Sequence, residues 1–272
     1  MTLIDPVLLK SRLGLLAGRF DVDALAECDS SSSELMRRAD RGAPAGTVVV
    51  ADRQSAGRGR RGRSWSSAPE ASLTFSVLWR FSGPPGRLAG LSLVVGVALA
   101  EALETLGAQG VCLKWPNDVL LRRDNAYAKL AGILVELSTD RRGTQAVIGI
   151  GVNLQAPPEI LPQPVAALDQ ALAATPDRHV VLAAILGHLA AVLDRFAVDG
   201  FAGLKMDWQQ RHAWQGEAVQ LLGEAAEPLP GRCLGVDDDG ALLLETASGV
   251  QRIFSGDVSL RPIGSALGVR RA

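Results

Sequence analysis

Cysteine and histidine are both scarce in this chain of 272 residues, with three of each. Cys28, Cys112 and Cys233 stand far apart without a C-x-x-C, and His179, His188 and His212 form no H-E-x-x-H or similar spacing. Neither a structural zinc nor a disulfide is therefore expected. Net charge is equally small. The 28 Lys+Arg and 29 Asp+Glu leave -1, and aromatics make up 4%, so the composition lacks both the positive field and the stacking surface of a nucleic-acid binder. No G-x-x-x-x-G-K-[ST] occurs, which excludes a Walker-type phosphate loop. The N-terminus, with Asp5, Pro6 and Lys10 ahead of any long apolar run, shows no secretory pattern. Two longer apolar runs, 88–100 and 180–193, are interrupted by Ser92 and His188 and closed by Glu101 and Asp194, short of the ~20 residues that span a bilayer. The expectation is a soluble, cytoplasmic protein with no membrane contact.

At 47% hydrophobic the chain can bury one substantial core and a smaller second one. Residues 1–28 include a short helix, and Ser30 to Ser33 offer caps for a second helix with Leu35, Met36 and Ala39 on one face, ended by Gly42 and Pro44. Strands are expected at 47–51 and 72–79, a buried helix at 88–106, and further strands at about 111–115, 119–122, 130–138 and 145–152. Their short connections suit antiparallel hairpins better than β-α-β crossovers. A proline-rich connector from Pro157 to Pro164 leads to a helix over 179–198, where His179 and His188 read as surface or core-edge residues and not as ligands. From about 215 the period is that of short strands, 217–223, 229–236, 241–246 and 250–254, with Asp237 to Gly240 as a turn. The expected class is α+β: a mixed, mostly antiparallel sheet with helices on one face (residues 1–212), followed by a small barrel-like domain (213–272).

Against this background stands Gly57-Arg58-Gly59-Arg60-Arg61-Gly62-Arg63-Ser64-Trp65. The segment follows an apolar strand and runs into Ser66-Ser67-Ala68-Pro69, which deny it the helix that a G-x-G-x-x-G dinucleotide site requires. It is a loop. Glycines let its backbone approach a ligand, and guanidinium forks match carboxylate and phosphate oxygens. A solvated basic turn is the plainer alternative, which Trp65 argues against. With little apolar surface besides that indole, the loop is expected to be mobile until a ligand orders it.

Two further motifs carry polar groups at strand ends. Lys114-Trp115-Pro116-Asn117-Asp118 sets a cation, an indole, an amide and a carboxylate around one turn, and Lys129-Leu130-Ala131-Gly132-Ile133-Leu134-Val135-Glu136 opens a strand with a cation. Taken alone, such a lysine could simply mark the solvent end of a strand.

Together the three motifs resemble the signatures of the biotin protein ligases, over about residues 27 to 262. Asp29-Ser30-Ser31-Ser32 stands where that family typically has Asp-Ser-Thr-Asn, so Ser31 and Ser32 are departures, and the segment between Asp118 and Lys129 is a few residues longer than usual. The resemblance implies a class II synthetase-like catalytic domain with a small C-terminal SH3-like β-barrel. It also implies ATP-dependent activation of biotin as biotinyl-5'-AMP, with Mg²⁺ as activator, and transfer to a lysine of a biotin carboxyl carrier protein or domain, by a monomer or homodimer. Some bacterial members carry an N-terminal winged helix that represses biotin-synthesis genes. Too few residues precede the ligase region here for that module, so no operator binding is expected.

By the same resemblance, Ser30, Ser31 and Gln54 hydrogen-bond the ureido end of biotin, with Ser32, Arg58, Gly59, Arg60 and Lys129 completing its site. Arg58, Arg60, Arg61, Trp65, Lys114, Asn117 and Asn153 serve ATP and the adenylate, Trp65 stacking on adenine. Lys129, Arg60 and Asp118 are the catalytic candidates, Asp118 either orienting or deprotonating the acceptor amine or holding its turn. The Mg²⁺ ligands stay unassigned, since no carboxylate cluster marks them. Lipoate or octanoate protein ligases share a strand lysine but lack the glycine-arginine loop, and a non-enzymatic nucleic-acid binder is the remaining alternative.

Overall fold

The computed structural model describes residues 3–124, 126–141, 143–156, 163–174, 176–223, 227–254 and 258–263. The first six residues of the proline-rich connector, 157–162, lie outside them. Helix α1 (Pro6–Leu13) begins at Asp5, whose side chain caps the amides of Val7 and Leu8. Strand β1 (Asp21–Cys28), helix α2 (Ser31–Asp40), strands β2 (Thr47–Gln54) and β3 (Ser72–Phe81), helix α3 (Leu91–Thr105) and strands β4 (Val111–Lys114), β5 (Asp118–Arg123), β6 (Ala126–Asp140) and β7 (Gly143–Asn153) follow. After them come α4 (Arg178–Asp199), the short α5 (Lys205–Gln209), and β8 (Ala218–Gly223), β9 (Leu229–Val236), β10 (Leu242–Thr246), β11 (Gly249–Ile253) and β12 (Val258–Pro262).

The first seven strands form one sheet in the order β1-β2-β3-β7-β6-β5-β4. Only β1 and β2 run parallel; the other described pairs are antiparallel. The sheet is therefore mixed and mostly antiparallel, as the short connections required. Strand β1 lies in a stretch from which only a short helix was expected. Its alternation is weak because it is an edge strand, with just Val22 fully buried.

Strand alternation assigns the two faces. Val48, Val50, Phe75, Val77, Ile148 and Ile150 pack with α3 and α4 in the main core. Val49, Leu78 and Val147 point the other way and meet Leu35 and Ala39 of α2. Helices thus cover both faces, which corrects the expectation of helices on one face only. Helix α2 is short, and its amphipathic stripe finds the opposite surface of the sheet from the long apolar helices.

Both apolar runs extend further than their interrupting residues suggested. The helical stretches Pro85–Thr105 and Arg178–Asp199 are long and apolar enough to cross a membrane by length and composition. Here they pack on each other and on the sheet, with α3 buried on nearly every side. His179, inside that packing, accepts the amide of Asp5 on Nε2 at 2.9 Å and so ties the N-terminal segment to α4.

The C-terminal strands form a separate antiparallel sheet in the order β11-β10-β9-β8-β12. Its two edges, β11 and β12, are not paired to each other among the described residues, so the pairings form an open sheet and not a closed barrel. Strand β12 went unrecognised in the sequence. The two units meet where Trp115 Nε1 donates to the carbonyl of Gly240 at 3.1 Å.

Candidate active site

The site lies on the α2 face of the large sheet, at its middle. Register places Thr74, Gly151 and Gly132 side by side across β3, β7 and β6, and Ser76, Gly149 and Leu134 in the next row. Three of these six positions have no side chain, which hollows the face where other strands carry β-branched residues. A Cβ on Gly151 would overlap the ring of Trp65; one on Gly149 would overlap Ser32 Oγ. One on Gly132 would come within 2.9 Å of Trp65 Cζ3 and 3.2 Å of Lys129 Nζ. The glycines are a floor. Alternating glycines inside a strand, as at 149 and 151, were the available sequence signal for it.

One wall is the N-terminus of α2. Ser30 is its N-cap, and the Ser31 amide donates to Gln54 Oε1 at 2.8 Å. Ser31 Oγ and Ser32 Oγ lie 2.9 and 3.0 Å from Ser76 Oγ. Behind them Asp29 is gripped by Arg37, whose hydrogen bonds hold its carboxyl at about 2.

The glycine-arginine segment folds over this floor as a tight loop. Trp65 N donates to Gly57 O and Gly59 N to Arg63 O, and Arg61 takes the left-handed conformation at φ 59. Arg58 reaches across to β6, its Nη2 2.6 Å from Glu136 Oε1 and its Nη1 3.2 Å from Oε2. Arg60 Nη1 donates to Asn117 Oδ1 at 3.2 Å, and Asn117 Nδ2 in turn donates to the carbonyl of Ile133.

Lys129 reaches the site because β6 is irregular. The register shifts between Val119 and Leu120, so Val119 opposes Ala131 while Leu120 opposes Lys129, leaving Leu130 as the extra residue of a bulge. Leu130 and Ala131 are both in the main core, and the parity change turns Lys129 to the α2 face. The freed backbone of Lys129 pairs with Pro164 and Ala166. Lys129 Nζ lies 2.6 Å from Asp118 Oδ1 and 5.5 Å from the centroid of the Trp65 ring, while Lys114 Nζ lies 3.2 Å from Asp118 Oδ2. Burial pushes the Asp118 carboxyl up, but the two ammonium groups outweigh it and hold the group at about 2. Burial brings Lys114 down to about 8 against the pull of Asp118.

Two adjoining cavities result. The first runs over the glycine floor and is lined by Ser30, Ser31, Ser32, Gln54 and Trp65, with Arg58, Gly59, Arg60 and Lys129 above. The second, on the other side of Trp65, gathers Arg60, Arg61, Lys114, Asn117 and Asp118. Of the candidates read from the sequence, Asn153 alone lines neither: it is buried, and its amide donates to the carbonyls of Lys129 and Ala166. Five contributors were not among the candidates read from the sequence. Thr74 and Ser76 are ordinary strand residues, Glu136 matters only through Arg58, and Arg261 arrives with Ser259 from β12 to line the second cavity. Burial lowers the Arg261 guanidinium from its usual value, opposed by the charge of Asp118. Among the described residues no three His, Cys, Asp or Glu side chains form a metal-binding group.

The glycine floor, strand lysine and arginine loop of the mixed sheet lie within residues 25–153, which match the family model of the biotin/lipoate A/B protein ligase class. A second model, the biotin protein ligase C terminal domain, matches residues 216–261. Within that class the chain belongs to the biotin protein ligases. It is 37% identical over 268 residues to the bifunctional ligase/repressor BirA of Escherichia coli, covering 96% of this chain and 81% of that one. To the biotin--[acetyl-CoA-carboxylase] ligase of Mycobacterium tuberculosis it is 33% identical over 252 residues, 90% and 91% of the two chains. Among solved structures, the biotin protein ligase from Aquifex aeolicus in complex with biotin and ATP superposes with a TM-score of 0.75 at 34% identity, covering 89% of this chain and 99% of that one.

Proposed function

We propose that this chain joins biotin to ATP as biotinyl-5'-AMP with release of pyrophosphate, then transfers the biotinyl group to a lysine of a biotin carboxyl carrier domain with release of AMP. The observation that carries this reading is the convergence of Arg58, Arg60 and Lys129 on one cavity whose floor is bare glycine. A carboxylate attacking the α-phosphorus brings two anions together. A unit cation at 4 Å is worth about 4 kcal/mol at an effective dielectric of 20, so two or three placed cations offset the repulsion.

In this reading the ring end of biotin enters between Ser30, Ser31, Ser32 and Gln54, and its carboxylate ends at Arg58, Arg60 and Lys129. The nucleotide takes the second cavity, with Trp65 against the adenine and Arg61, Lys114, Asn117 and Arg261 around the phosphates. Asn153 acts from behind, holding the backbone of Lys129. Asp118 is a poor proton acceptor at about 2, since an efficient base titrates near the working pH. Its part is to fix Lys114 and Lys129.

Magnesium enters as the ion of the substrate MgATP. Among the described residues the one carboxylate in the second cavity, Asp118, is already spanned by two lysines, a donor set unsuited to a resident Mg²⁺. The division into a ligase domain (1–212) and a small SH3-like C-terminal domain (213–272), and a cytoplasmic setting, complete the proposal.

The test is incubation of the protein with MgATP, labelled biotin or labelled lipoate, and a carboxylase carrier domain. Label from biotin, lost in Lys129→Ala, is the expected result. Label from lipoate instead, or from neither, would overturn the reading.

A further inference from the structure

Ser76 is fully buried on β3, beneath Ser31 and Ser32 and outside the lining of the first cavity. Its hydroxyl lies 2.9 Å from Ser31 Oγ and 3.0 Å from Ser32 Oγ. A serine hydroxyl has one proton to donate and two lone pairs. Buried polar groups are satisfied wherever they can be. No other partner for the Ser76 hydroxyl is found among the described residues, so its own proton is used only if it donates to one of its two neighbours, which leaves it to accept from the other. The neighbour that gives its proton to Ser76 can offer only lone pairs to the cavity. The neighbour that receives the proton of Ser76 keeps its own hydrogen to offer. Two chemically identical serines are thus given opposite polarity by the residue below them.

We infer that Ser76 is a positioning residue that makes the Ser31–Ser32 pair one acceptor beside one donor, matched to the adjacent N–H and C=O of a cyclic urea. The inference rests on the assignment of the first cavity to biotin. It also accounts for Ser31 and Ser32 together: they are the two residues that depart from the Asp-Ser-Thr-Asn pattern, and both lean on the same hydroxyl. Gly149 makes room for the arrangement, since a Cβ there would overlap Ser32 Oγ.

The experiment compares wild-type protein with S76A, S76T and S76C by biotin-dependent exchange of pyrophosphate into ATP. In S76A the KM for biotin rises about tenfold, the loss of one or two buried hydrogen bonds, while kcat and the KM for ATP stay within about twofold. S76T keeps the hydroxyl and restores the KM to within about threefold; S76C, close in shape but a weak donor, shares the defect. The discriminating ligand is 2-iminobiotin, in which nitrogen replaces the ureido oxygen. The preference for biotin over 2-iminobiotin, measured by competition, falls at least about fivefold in S76A, because the polarity that reads the oxygen is gone. A merely structural role would weaken both ligands alike and leave that ratio unchanged, which would overturn the inference. So would a biotin KM unaltered in S76A. Should S76A fail to fold, S76C carries the same comparison. Wild-type protein inactive with biotin would overturn the functional reading and this inference with it, whereas active wild type with an unchanged ratio would overturn this inference alone.

Discussion

Lys129 Nζ and Asp118 Oδ1 stand 2.6 Å apart, and the other oxygen of the same carboxylate holds Lys114. One buried anion thereby positions two cations, Lys129 lining both cavities and Lys114 the second. Asp118→Asn should cost about 3–5 kcal/mol of stability, since it leaves two ammonium groups without their counter-charge. A chemical-denaturation midpoint unchanged from wild type would show that the pair is not structural.

The same carboxylate sets an acid limit. Its folded value of about 2 lies below the ordinary 3.8, so the unfolded chain binds the proton first as pH falls. Its contribution, about 2 kcal/mol, is complete above about pH 5 and is lost between about pH 4 and 2. Lys114 acts at the other end. Its value, lowered from 10.5 to about 8, means that the unfolded chain holds the extra proton between those values, and stability should rise with pH across about 8 to 10.5. Denaturation curves of wild type and Lys114→Met through both windows check the two signs: the alkaline rise should vanish in the variant.

Trp65 rests on a surface that tolerates no side chain. Gly151→Ala should displace the ring and lower adenylate formation by about a hundredfold, on the order of the ~3 kcal/mol that a misplaced binding group costs. In a Trp65→Ala background the same change should cost less than about threefold, because the clash is gone. Equal losses in both backgrounds would place the effect elsewhere on the sheet.

The Arg58–Glu136 contact closes the loop onto β6. Glu136→Gln should raise amide exchange over residues 57–66 in the ligand-free protein, and biotin or its adenylate should restore protection. Exchange that is the same with and without ligand in wild type would reject the expectation of a loop ordered by its ligand.

Among the described residues, Arg261 is the guanidinium that the C-terminal sheet brings to the second cavity. Arg261→Ala should raise the KM for ATP about tenfold, about 1.4 kcal/mol, and leave that for biotin within about twofold. A larger change for biotin would move the nucleotide to the other cavity.

Much of the site was legible in order along the chain. Gly57 to Trp65, Lys114 to Asp118 and Lys129 to Glu136 each concentrate chemistry that a purely structural segment has no use for. The three motifs led to the same cavities that the fold assembles. Asn153 entered the adenylate site by resemblance; in the tertiary structure its amide donates to two backbone carbonyls behind the cavities, those of Lys129 and Ala166. Ser76 escaped notice because one serine in a strand has no meaning until its cross-strand neighbours are known.

Local sequence determined what depends on neighbours within one turn or one strand: the capping of α2 by Ser30, the alternation of β3, the glycine-rich loop, and the chemical character of each motif. Tertiary structure decided what depends on parity and register. Which face α2 covers follows from where its apolar stripe finds Val49, Leu78 and Val147. That Lys129 points to that face follows from one extra residue in β6. The presence of Arg261 beside Asp118 follows from the docking of a second sheet. A strand's side chains alternate with a period of two, so a single bulge or a one-residue slip moves a cation from one face to the other, and no pattern within the strand itself records the outcome.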